Sequence, residues 1–159
     1  MKKSILFSLL FTALLFGAQA QDNAPRPFNE WRIVTVVESI VPMGIGRSRM
    51  VENMTEVNTD QFRTTRTDGK TSSQREVSRS ELKVSNFDEA KLLNFFSGVG
   101  INFQNIASND AMIGARIMEL ESEGYSLAYV TSGVESHAGT EDGTGLFITR
   151  MFFKRTTLQ

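Results

Sequence analysis

Not one of the 159 residues is a cysteine, and nothing else in the sequence constrains the fold as much. Disulfides, zinc–thiolate sites and thiol nucleophiles are excluded together, so the folded chain has to be held by a packed apolar core. The first twenty residues sharpen this exclusion. A basic head (Lys2, Lys3) leads into an apolar run from Ile5 to Phe16 and then into Ala18-Gln19-Ala20, the small-residue pattern at which signal peptidase cuts. Residues 1–20 therefore read as a signal peptide, and the product is expected to be periplasmic or secreted, in a compartment that permits the disulfides it does not use. The apolar run is shorter than the ~20 residues a spanning helix requires, and no second run follows it, so no membrane span is expected after cleavage. A lipid anchor at the cut would need a cysteine, so the chain is not expected to be a lipoprotein.

About 139 residues would remain, enough for one domain around one core. Loss of Lys2 and Lys3 leaves 15 basic and 18 acidic residues, a formal charge of −3, and this balance argues against nucleic-acid binding, which draws on a strong positive excess. Residues 21–29 hold two of the three prolines and read as a disordered lead-in to a single domain over 30–157. Trp31 to Val41 is dense in β-branched residues and apolar on both sides, which predicts a central strand stopped by Pro42. A second strand is expected within 47–57, with Met50, Glu52, Met54 and Glu56 on one side. The polar stretch 58–85 centres on Asp68-Gly69, a tight-turn dipeptide, and predicts a hairpin of residues 60–67 and 71–83.

Apolar content returns at Phe87. A short helix is expected over 88–96, ended by Gly98 and Gly100, with an irregular segment to Ile106 laid on the core. Ser108-Asn109-Asp110 offers capping side chains, Ile113, Ile117 and Leu120 recur at helical spacing, and Gly124 supplies a stop, so the main helix is placed at 109–123. Its acids lie near the C-terminal end, where the helix dipole disfavours them. Tyr125–Thr131 and Leu146–Lys154 read as the strands of a hairpin joined by a glycine-rich tip, 136–145. The fold class that follows is α+β: a single antiparallel sheet of about four to six strands, with one main helix packed across one face.

The run Glu123-Gly124-Tyr125-Ser126-Leu127-Ala128-Tyr129-Val130, entered from a helix and followed by a strand ending Phe152-Phe153-Lys154-Arg155, resembles a family of small uncharacterised bacterial domains. Those carry E-G-W-E-L-V-x-V and then Y-x-F-K-R; here Tyr125 stands for the tryptophan and Ser126 for the glutamate. Segments 31–50, 94–106 and 131–134 are similar to secreted hypothetical proteins of Bacteroidetes-type bacteria. The resemblance implies a sheet with one helix across it and transfers no catalytic residue.

Few residues offer chemistry. His137 is the single histidine, so any histidine base or histidine-ligated metal would have to use it, with Glu141 and Asp142 as weak co-ligands; a solvated loop is the simpler reading. Gly44, Gly46, Arg47 and Arg49 form a turn that could hold a small anion, with backbone N–H groups and forked guanidinium donors around it. The competing reading pairs these arginines with acids such as Glu38 or Glu52. Ser97 lacks the flanking glycine of a nucleophile elbow. Glu38, inside the first strand, is the nearest approach to an acid of perturbed pKa, and an edge or surface position is the simpler reading for it. No cofactor fingerprint is present, and no catalytic residue is assigned. The sequence thus favours a non-enzymatic interaction or structural module with an unknown protein partner or self-association, through a strand edge or the polar hairpin. A binding protein for a small anion, and a carboxylate-based hydrolase, are the alternatives.

Overall fold

A computed structural model describes residues 27–39, 47–134 and 145–158. Residues 1–20, read as a signal peptide, and Gly44, Gly46, His137, Glu141 and Asp142 lie outside the described residues. The chain divides into two compact units. One is Asn29–Thr156; the other, residues 1–28 with 157–159, is described only at the outermost residues of two strands.

Five strands form one antiparallel sheet in the order β3-β2-β1-β7-β6. They are β1 Pro27–Ser39, β2 Arg49–Asn53, β3 Phe87–Lys91, β6 Ser126–Val134 and β7 Leu146–Leu158. A two-stranded hairpin, β4 Phe96–Ser97 with β5 Gly100–Ile101, and one helix, α1 Phe103–Ser122, complete an α+β fold. The β-branched run Ile33–Val37 occupies the middle of the sheet, as its composition predicts, and its strand starts at Pro27, inside the stretch read as a lead-in.

Alternation along the strands sorts the sheet into two faces. Val36 pairs with Met50, Val34 with Glu52, and Met50 with Ala90, so these side chains share a face. Met151 and Phe153 of β7 join Val34, Val36 and Met50 in the core cluster, with Leu92, Leu120 and Tyr125; Ile113 and Ile117 of α1 pack against it. Phe153, Leu120 and Val34 are fully buried, and each such side chain stabilises the fold by about 1.5–3 kcal/mol relative to leaving it in water.

The helix starts earlier than the Ser108–Asp110 signal places it. Asn102 is its cap: the side-chain oxygen accepts from Gln104 N at 3.1 Å and Asn105 N at 3.2 Å. Asn109 instead lies inside the helix, 1 % exposed, and uses its amide elsewhere. Gly124 ends the helix as expected, with φ +87°. Gly124 N reaches Glu121 O and Tyr125 N reaches Leu120 O, the paired closure that a left-handed residue makes possible.

Two expected elements are replaced. No strand forms between residues 54 and 86; two short 3-10 turns, Thr59–Phe62 and Gln74–Glu76, stand in place of the 60–67/71–83 hairpin. The turn at its centre does form, with Gly69 at φ +69° and Asp68 Oδ1 accepting from both Lys70 N and Thr71 N. The flanking Thr, Ser and Arg residues give neither arm an apolar face to bury, so the turn has no ladder to nucleate. The helix expected at 88–96 is strand β3 followed by β4. Ala90 and Leu92 alone meet the core there, a period of two, and pairing with β2 satisfies the backbone of 87–91.

Candidate functional site

Three regions of the Asn29–Thr156 unit concentrate polar or exposed groups. The first grows from Glu52, whose position on β2 points it into the core-bearing face, where it is 5 % exposed. A carboxylate so placed needs partners. Its Oε2 accepts from Arg116 Nη2 at 2.6 Å and Nε at 3.0 Å, and its Oε1 from Arg32 Nη1 at 3.3 Å. Arg116 continues to Glu119 at 2.9 Å, and Arg32 to Glu123 at 3.2 Å. Two of the acids disfavoured by the dipole, Glu119 and Glu123, are therefore compensated by arginines from β1 and α1.

Next to them, Arg155 Nη2 donates to Glu30 Oε2 at 2.6 Å, and the Tyr125 hydroxyl donates to Glu30 Oε1. The guanidinium carbons of Arg155 and Arg32 lie 4.5 Å and 5.2 Å from the Tyr125 ring centroid. The Tyr125 hydroxyl and Arg155 hold the Glu30 carboxyl below its usual range. Burial, and then the bond to Glu30, push the Tyr125 phenol up. For Arg116, burial opposes the charge, but its bonds to Glu119 and Glu52 outweigh it and raise the pKa. The charges in this network answer one another, which fixes α1 against β1 and β2. The adjoining cleft, of about 320 Å³, has Met50, Ala90 and Met112 among its lining. Of its four carboxylates, Glu52 and Glu119 are held by Arg116 and Glu89 by Arg49, while Asp88 is exposed.

The second region is a polar knot where β1, β2, the 92–95 segment and α1 meet. Asn109 acts as a piece of strand: its Oδ1 accepts from Leu93 N at 2.8 Å, and its Nδ2 donates to Leu93 O at 2.8 Å and to Glu38 Oε1 at 3.0 Å. Fully buried Ser48 accepts from Ser39 N at 3.0 Å, and its hydroxyl lies 3.1 Å from Asn94 Oδ1. A serine hydroxyl donating to an amide oxygen has no base to activate it. Burial raises the Glu38 carboxyl, offset by the Asn109 bond and reinforced by Asp110. Glu38 is thus on the central strand with Asn109 as its partner, which corrects both the edge position and the pairing with Arg47.

The proposed anion turn is described only from Arg47 onward. Arg47 is exposed, and Arg49 pairs with Glu89 across β2 and β3. Glu52 takes Arg32 and Arg116 rather than either arginine of the turn. Among the described residues, no group of three or more acidic or histidine side chains is placed to hold a metal.

The third region is the sheet face opposite Val34. Trp31 and Ile33 of β1 are 53 % and 44 % exposed, and Tyr129 of β6 is 62 % exposed. The Tyr129 and Phe152 rings meet at 5.8 Å and 47°. Basic residues flank this strip: Arg150 opposite Thr131 and Lys154 opposite Ser126. Beside it all nine residues of β6 are exposed, and among the described residues β6 is a sheet edge. Sequence reasoning used the apolar character of both sides of β1 only to place the strand centrally, and so missed this face. Trp31 and Ile33 fall on the same parity, opposite to Val34 and Val36, and that was the available signal.

Neither a family model, nor a curated protein, nor a solved structure matches the chain. Among the described residues no helix is long and apolar enough to cross a membrane.

Proposed function

We propose that this chain is a periplasmic or secreted interaction module, working by binding rather than catalysis, in which α1 packs across one face of the sheet and the opposite face with the β6 edge receives a protein partner. The packing of Leu120, Ile113 and Ile117 with Val34, Val36, Met151 and Phe153 supports the helix placement.

The exposed strip of Trp31, Ile33 and Tyr129 is the observation that carries the binding reading. An antiparallel sheet normally presents polar residues on its solvated face. Large apolar side chains grouped there, with Arg150 and Lys154 beside them, have the make-up of an interface: an apolar centre and a polar rim. The buried acids and arginines, by contrast, are engaged with each other and serve the fold.

A photo-reactive amino acid placed at Trp31 or Tyr129, and at Lys70 as an exposed control, tests this reading in the exporting host. Covalent adducts to protein from the first two positions and not the third are expected. Equal labelling at all three positions, or none at Trp31 and Tyr129, would refute the reading.

A further inference from the structure

We propose that β6 is the strand through which two copies of this chain join, edge to edge and antiparallel, about a two-fold axis at Thr131. This rests on the interaction reading above and names its partner as a second copy.

Among the described residues, the two edges of the sheet are built differently. β3 is five residues long and carries Asp88, Glu89 and Lys91, the short, charged form that discourages further pairing. β6 is nine residues long and carries no charge and no proline, and Leu127, Tyr129, Val130 and Val134 are all exposed. A register shift falls between Leu127 and Tyr129, so the regular part of the edge is 129–134.

Gly133 supplies the second observation. It sits inside the strand without a positive φ, and a Cβ added there would meet no heavy atom within 4 Å. Among the described residues, neither its own backbone nor packing calls for glycine, and glycine in a strand interior weakens it. Such a glycine leaves room for close approach by another chain.

A two-fold axis at Thr131 explains the choice. It sets Thr131 against its own copy, Val130 against Ser132, and Tyr129 over Gly133, so the large side chains of the regular segment face small ones. Threonine pairs are favourable cross-strand neighbours, and an aromatic ring laid over a strand glycine compensates for its missing side chain. Because the segment is uncharged, the two copies meet without like-charge repulsion. The interface is isologous and closes as a dimer, with the sheets continuous across it.

Sedimentation velocity on the protein recovered from an exporting host tests this over the micromolar range. The parent is expected at twice the monomer mass. Thr131→Lys and Thr131→Glu, each placing like charges across the axis, are expected to be folded monomers by circular dichroism, and an equimolar mixture of the two is expected to recover the dimer. A parent that stays monomeric overturns the proposal. So does a parent dimer that survives Thr131→Lys; if that dimer dissociates with Ile33→Ser instead, the edge pairing fails while the sheet-face interaction stands.

Discussion

Asn109→Ala should cost more stability than a polar-to-alanine change in a helix ordinarily does. The amide of Asn109 makes three hydrogen bonds, two of them completing both backbone groups of Leu93 and one reaching Glu38. At about 1 kcal/mol net for each bond, the loss is about 3 kcal/mol. Stranding the Leu93 N–H and C=O would add to this, while water reaching the half-buried segment and an alanine helix-propensity gain of about 0.5 kcal/mol would subtract. A net loss of about 3 kcal/mol is expected, or about 6–12 °C in Tm for a domain of this size. Urea unfolding at neutral pH, followed by far-ultraviolet circular dichroism, measures it. Ser108→Ala is the control, since that hydroxyl bonds only the Gln104 carbonyl one turn back on an exposed surface, and it should change stability by less than about 0.5 kcal/mol. A loss below about 1 kcal/mol for Asn109→Ala, set against the expected bond total, would refute the view that this side chain latches the 92–95 segment to the helix.

Three other outcomes follow from the charged groups. Arg116→Met should destabilise the fold by about 2–4 kcal/mol, because it strips two bonds from a buried carboxylate; adding Glu52→Leu should restore part of that loss, and urea unfolding of the single and double variants decides it. Burial holds the Glu38 pKa above the ordinary 4.5, so its contribution to stability is complete below 4.5 and is lost as pH rises through the raised folded value. Glu38→Gln should therefore gain stability relative to the parent at neutral pH, with the gain shrinking as pH falls through the raised folded value toward 4.5; a pH-independent difference in thermal unfolding would contradict this. Asp68 is held at about 2, from 3.8, by the Thr71 and Lys70 backbone N–H groups and the Thr71 hydroxyl. The order of that turn is present above pH 3.8 and lost as pH falls toward 2, and a carboxyl carbon titrating near 3.8 by NMR would show that the turn is not formed.

The sheet was legible where composition and parity agreed. Ile33–Val37 had to be a strand, and the pairing of Ser126–Val134 with Leu146–Leu158 followed from two alternating runs around a glycine-rich link. Gly124 announced the helix end because its positive φ is a local requirement. The helix start was harder to read, since Asn102 and the Ser108–Asp110 cluster offer the same capping chemistry and only tertiary packing chooses between them. Strand β3 was hidden because Phe87–Lys91 carries three charges and becomes a strand through pairing with β2. As to the sites, Glu38 was singled out correctly as an unusual acid, but its partner lies 71 residues away, a separation no local pattern encodes. The same holds for Glu52 and Arg116. The open apolar face was written in the parity of Trp31 and Ile33, but a central strand that is apolar on both sides has the same composition whether one face or both are covered.

Native mass spectrometry of the protein recovered from its own host tests the interaction reading most directly. The account predicts a protein complex: a pair of copies, lost when Thr131 is replaced by lysine, or a pairing with another chain, lost when Trp31 and Ile33 are both replaced by serine. A bare monomer, or a monomer that retains a small molecule, would contradict it.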